Sequence, residues 1–137
     1  MANEAILRDR LENPIDFTVA NHMGIEKGTV LQLLDGRVAS GAPAIQAQLS
    51  GIAAREKVAA DGRTQLAVYR RGIFDMVASG AITIGQAVMA KGSNNLVIVA
   101  AQTASGACIL GHALETAEEA EVFQVYVDVG AGGNHLS

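Results

Sequence analysis

A chain of 137 residues fits one domain with a real core, small enough for association to add to its stability. The composition is 50% hydrophobic but only 4% aromatic, with no Trp and 15 Gly, so burial rests on Val, Ile, Leu and Ala. The formal charge is −4 and Arg70-Arg71 is the only adjacent basic pair, which argues against nucleic acid or an anionic membrane as a partner, because both are bound through clustered Lys and Arg.

Residues 1–16 read as an extended N-terminal arm carrying Glu4, Arg8, Asp9, Arg10 and Glu12. It closes on Asn13-Pro14, where proline disfavours helix in the residue before it. Ala5, Ile6, Leu7 and Leu11 could give a turn or two of helix, marginal in isolation. The arm is either a frayed terminus or a segment that orders on a partner. Residues 1–10 mix charges of both signs and hold no apolar stretch, so no secretory leader is expected and synthesis in a cytoplasm is.

From Thr18 onward short apolar runs alternate with glycine and polar turns, the pattern of many short strands. Strands are expected at 17–20, 29–34, 45–50, 65–73, 88–91, 96–101, 107–113 and 122–129. The longest apolar run, 96–101, is strand-sized and far from the roughly 18 residues of a membrane span. Asp35-Gly36, Asp61-Gly62 and the loop 91–95 are turn signals, since Gly and Asn tolerate positive φ. Residues 53–60 and 116–121, rich in Ala, Glu and Lys, are short helices or wide turns. Gly130-Ala131-Gly132-Gly133 cannot cradle phosphate, because such a loop must open a helix and only four residues follow. Residues 130–137 therefore read as a flexible tail. The expectation is an all-β fold, with one or two short helices, in which residues 17–129 form a small β-barrel.

A faint internal repeat sharpens this. Ile25-Glu26-Lys27-Gly28-Thr29-Val30 has a counterpart in Ile82-Thr83-Ile84-Gly85-Gln86-Ala87-Val88, and Leu49-Ser50-Gly51-Ile52-Ala53-Ala54-Arg55 is echoed by Leu110-Gly111-His112-Ala113-Leu114-Glu115. Gln65-Leu66-Ala67-Val68-Tyr69 is echoed by Gln124-Val125-Tyr126-Val127-Asp128. The offsets, 57 for Gly28 to Gly85, 60 for Ser50 to Leu110 and 59 for Gln65 to Gln124, nearly keep order and spacing. Two related β-units closing into a barrel or sandwich would remove the edges that otherwise pair with other chains.

Catalytic and metal chemistry find little support. His22, His112 and His135 have no spacing that sets two metal ligands on one face. Cys108, the single cysteine, sits in Ala107-Cys108-Ile109-Leu110, the setting of a buried structural thiol. Ser50-Gly51 and Ser105-Gly106 lack the sharp turn that exposes a nucleophile. Glu115, Glu118, Glu119 and Glu121 read as a solvated acidic turn, not an acid–base pair. No catalytic residue, no metal site and no cofactor is expected.

The polar arm, Ile25 to Val30, the Gly51-Ile52-Ala53 step, Tyr69-Arg70-Arg71-Gly72-Ile73-Phe74, Ile82 to Val88, and Ile109-Leu110-Gly111-His112-Ala113-Leu114-Glu115 with its Val-rich successor together resemble the capsid decoration, or head-stabilising, proteins of tailed bacteriophages. The resemblance spans roughly residues 17–129. It implies a β-barrel or β-tulip-like domain that trimerises, sits on the exterior of an icosahedral shell at three-fold axes, and stabilises the expanded head. The implied partners are the major capsid protein and the chain itself as a homotrimer; the implied location is the virion, after synthesis in the host cytoplasm. Ile6, Leu7, Leu11, Ile15 and Phe17 are candidates for the capsid contact, because apolar groups on a polar arm need somewhere to dock. Tyr69, Arg70, Arg71 and Phe74 are candidates for the trimer interface, since Tyr and Arg are enriched there, with ordinary core as the alternative for Tyr69, Ile73 and Phe74. Two other classes stay open: a small β-barrel enzyme subunit with a deep pocket gathering His112 and acidic residues, and a self-assembling bacterial scaffold protein.

Overall fold

A chain that alternates short apolar runs with glycine turns has little to spend on helices, and the computed structural model contains none among the residues it describes, 3–41, 48–91, 95–100 and 108–129. The strands are β1 (Ile6–Arg10), β2 (Ile15–Thr18), β3 (Val30–Leu34), β4 (Val38–Ser40), β5 (Leu49–Ala53), β6 (Gln65–Tyr69), β7 (Arg71–Ala78), β8 (Ala87–Lys91), β9 (Leu96–Val99), β10 (Gly111–Ala113) and β11 (Val122–Asp128). The expected all-β barrel fold is present, but each half of the repeat closes by itself. Strands β2-β4-β3-β5-β6 form one closed barrel. Strands β7-β11-β10-β8-β9 form a second ring through the β7–β9 pairing, with β1 added beside β7.

The two rings repeat one wiring. The parallel pairing of Thr18 with Val38 recurs as Val77 with Leu96. The bridge Ile25–Lys57 recurs as Ile82–Ala117. Gly28 N–H donates to Ala53 O and Gly85 N–H to Ala113 O, each glycine having φ near +87° as the turn requires (+86° and +88°). Strand pairing also fixes the register of the last echo: Ala53 faces Val68 and Ala113 faces Val125, so Tyr69 corresponds to Tyr126. The match of Gln65 with Gln124 is therefore two residues out.

The expected strand over 65–73 is two strands, divided at Arg70, where the chain passes from the first barrel to the second. The expected helices at 53–60 and 116–121 are turns. Lys57 N–H and C=O bond Ile25, and Ala117 N–H and C=O bond Ile82, so backbone groups a helix would use locally are already engaged across the chain. The side chain of Asp61 accepts from Val58 N–H (3.2 Å), and Glu121 at the matching position accepts from Glu118 N–H (2.8 Å). The possible helix near Ala5–Leu11 is strand β1, with Ala5 N–H bonded to Gly28 O. The Gly130–Gly133 tail, Ser105-Gly106 and His135 lie outside the described residues, as do parts of the expected strands at 45–50, 96–101 and 107–113.

Each barrel has its own interior. Phe17, Val19, Leu31, Ala39, Ala53, Leu66 and Val68 fill the first. Phe74, Met76, Val88, Val97, Leu110, Phe123, Val125 and Val127 belong to the second, and their cluster also takes in Val30, Leu49 and Ile52 from the first barrel. Because neighbours on a strand point to opposite faces, Leu31 and Ala53 look inward while Val30 and Ile52 look outward onto the second barrel. Buried Asn95 ties this seam: it accepts from Val30 N–H (2.8 Å) and donates to Gly28 O and Asn3 O (2.8 Å each).

Candidate interaction surfaces

The five residues expected at a capsid contact do not share one environment. Ile6, Leu11 and Ile15 are exposed. Leu7, opposite Phe74 in the β1–β7 ladder, packs against the core, and Phe17 is buried inside the first barrel. Arg8, beside Leu7, reaches Asp75 on β7 at 3.5 Å. The region is thus a strand with an anchored side and an exposed side: Leu7 holds it, and Ile6, opposite Asp75, faces out.

The residues expected at a trimer interface also divide. Phe74 is buried, with the half-buried Tyr69 ring against it edge-on at 5.8 Å between centroids. Arg71 donates through an Nη to Tyr126 Oη (2.6 Å) and lies over that ring. Its Nε is 3.9 Å from Asp128 Oδ1, close enough for attraction but beyond a hydrogen bond. Arg70, at the barrel junction, lines a cleft of about 540 Å³ with Ile15, Phe17, Leu33, Leu34 and Arg37. The Arg37 guanidinium sits 5.4 Å from the Phe17 ring centroid, and Asp35 and Gln48 also line the cleft, so aliphatic and aromatic walls meet polar groups and charges of both signs.

Two features were not readable as sites from the sequence. Lys57 is fully buried, and its ammonium donates to Asn21 O (2.7 Å), Met23 O (3.0 Å) and Val58 O (3.2 Å), with Asp61 Oδ1 at 3.2 Å. Its hydrogen bonds tie the 21–23 segment to the 57–61 turn, so every polar group it buries there has a partner. The Asp61 carboxyl is held below the usual carboxylate range, first by the N–H of Arg63 and then by Lys57. Asn95 is the second, and a surface-type Asn in a loop gives no hint that it holds two barrels together.

His112, which an enzyme reading would place in a deep pocket with acidic residues, sits in the middle of the three-residue strand β10, opposite Ala87 on one side and Tyr126 on the other. The acidic residues near it serve the turn: Glu115 accepts from Gln124 N–H (2.9 Å) and Glu121 from Glu118 N–H. Among the described residues no group of His, Cys, Asp and Glu could hold a metal ion.

Comparison with known proteins gives a family and a fold. A family model described as phage cement protein matches residues 12–129. The crystal structure of the head fiber N base of bacteriophage phi29 matches with a TM-score of 0.54 at 18% identity, covering 83% of this chain and 93% of that one. At that identity the likeness bears on the fold. No curated protein matches the sequence.

Proposed function

The chain belongs to the phage cement protein family, a family of structural head proteins, and from that premise we propose that it binds the outer surface of an icosahedral capsid as a homotrimer at three-fold axes and stiffens the expanded head. The family match across both barrels carries the reading. The chain's physical character supports it. A modest contact per subunit, repeated over a symmetric lattice, gives avidity without a large interface. The second barrel with β1 beside it holds four basic residues, Arg8, Arg10, Arg71 and Lys91, against seven acidic ones, Asp9, Asp75, Glu115, Glu118, Glu119, Glu121 and Asp128, a poor surface for DNA and an acceptable one outside a shell.

In this reading Ile6, Leu11 and Ile15 touch the major capsid protein, while Leu7 and Phe17 fix the strands that present them. Tyr69, Arg70 and Arg71 border the trimer contact and Phe74 supports Tyr69 from beneath. Removing residues 1–16 would strip β1 and half of β2 from the barrels, so substitutions are the cleaner test. Co-sedimentation with expanded, undecorated heads should show saturable binding by the chain, and the Ile6→Asp/Leu11→Asp variant should bind at least about tenfold more weakly while keeping its circular dichroism spectrum. Wild-type protein that stays in the supernatant while the heads pellet defeats the reading.

A further inference from the structure

The repeat allows each edge of one barrel to be compared with its counterpart in the other. Ile15 pairs with Val68 as Phe74 pairs with Val125, so Ile15, Asp16 and Phe17 on β2 correspond to Phe74, Asp75 and Met76 on β7. On β7 the outer edge of this stretch is occupied: β1 lies against it, Leu7 opposite Phe74 and Ile6 opposite Asp75, with Arg8 on the Asp75 carboxylate. On β2 the same edge has no strand beside it among the described residues; the β2–β4 pairing begins only at Thr18. The consequence shows in the side chains. Phe74 is 1% exposed and Ile15 is 42% exposed. Asp16 is exposed and forms no ion pair among the described residues.

The vacant edge borders the 540 Å³ cleft between β2 and the β3–β4 turn, in which Leu34 is also largely exposed. An unpaired edge beside a cleft walled by Ile15, Phe17, Leu33 and Leu34 and edged by charged and polar groups is the geometry of strand addition, where main-chain bonds supply affinity and alternate side chains supply selectivity. We propose that the β2 edge at 14–16 receives an extended segment of the shell subunit, pairing as β1 pairs with β7. That segment would place an aliphatic side chain over Ile15, as Leu7 covers Phe74, and a basic one beside Asp16, as Arg8 meets Asp75. The identity of the donor as the shell rests on the cement reading; the existence of the slot does not.

Two experiments separate these. First, an acetylated peptide copying residues 4–10 is titrated into the isotope-labelled full chain and followed by amide shifts. The expected result is saturable shifts confined to residues 15–18 and 33–37, with slowed exchange of the Asp16 amide. No shift there at about 1 mM peptide, or shifts centred on 72–75 where the peptide would merely replace β1, overturns the slot. Second, Asp16→Pro, which removes the edge N–H, and Ile15→Asp are tested for binding to expanded heads, with circular dichroism checking the fold. A loss of about tenfold or more in both variants, with fold kept, is expected. Undiminished binding by both overturns the assignment of the shell as donor even if the peptide binds. Failure of the wild-type chain to bind heads at all removes the cement reading and the shell as donor, and leaves the peptide titration to decide the slot.

Discussion

Replacing Asn95 by Ala tests whether one side chain holds the two barrels in register. Val30 N–H points away from its β5 neighbour and has the Asn95 carbonyl as its partner, so Ala leaves a buried donor unsatisfied at a cost of about 1–3 kcal/mol. Gly28 O loses the amide but keeps the N–H of Ala5, and adds little. Asn95 has φ +61°, a left-handed conformation that Asn tolerates better than Ala, worth about 1 kcal/mol more. The expected loss is about 2–4 kcal/mol, a large share of a small domain's stability. Urea unfolding followed by far-ultraviolet circular dichroism and by tyrosine fluorescence reads it, since Tyr69 and Tyr126 lie one in each barrel. A single coincident transition shifted to lower urea supports a local clamp, and two separated transitions show that the seam itself was held by Asn95. A loss below about 0.5 kcal/mol refutes the reasoning, because that is the size of an ordinary surface change.

Two further predictions follow from the repeat and from its ionic lock. A Cβ on Gly51 would stand 2.1 Å from Tyr69 O, and one on Gly111 would stand 1.9 Å from Tyr126 O, so Gly51→Ala and Gly111→Ala should prevent stable folding; Gly85→Ala, where the space is open and only φ +88° is strained, should cost about 1–2 kcal/mol by urea denaturation. Asp61 has a folded value below its unfolded one, so its stabilising effect is complete above the ordinary carboxylate range and fades as pH falls through the folded value; Asp61→Asn should flatten that acid limb in thermal melts between about pH 2 and 5, and an unchanged limb would show that other carboxylates set it.

The repeat was legible because its signals are backbone demands. Glycines at 28 and 85 satisfy positive φ, and glycines at 51 and 111 let a facing carbonyl approach, so neither pair can drift. The Gln65–Gln124 echo misled because both are polar residues on the outer side of a strand, where identity carries no structural requirement; the tyrosines two places out of that register mark the real match. Strand β4, three residues long, is too short to show a period. Strand β1 was hidden by its charges: Arg8, Asp9 and Arg10 read as a solvated arm, yet a strand added at the outside of a barrel needs only Ala5 and Leu7 to pack inward. Lys57 was hidden for the opposite reason. A lysine in an Ala-Glu-Lys stretch reads as exposed, and the sole contrary signal is that its counterpart is Ala117, which the second barrel buries without needing a cation.

The asymmetry between the halves follows from how they are stacked. Were the barrels joined face to face, each would bury the same surface and none would be left over. Here Val30, Leu49 and Ile52 on the outside of the first barrel join the interior cluster of the second, so different surfaces meet, as in a head-to-tail contact between subunits. Such a contact satisfies one barrel and leaves the matching part of the other without its cover. The second barrel has Phe74 sealed beneath Leu7 and Tyr69; the first has Ile15 and Leu34 open beside Arg37 and Arg70. An exposed aliphatic at a position whose twin is sealed is what the proposed strand addition at β2 would cover, and the family match is what makes the shell the donor to test first.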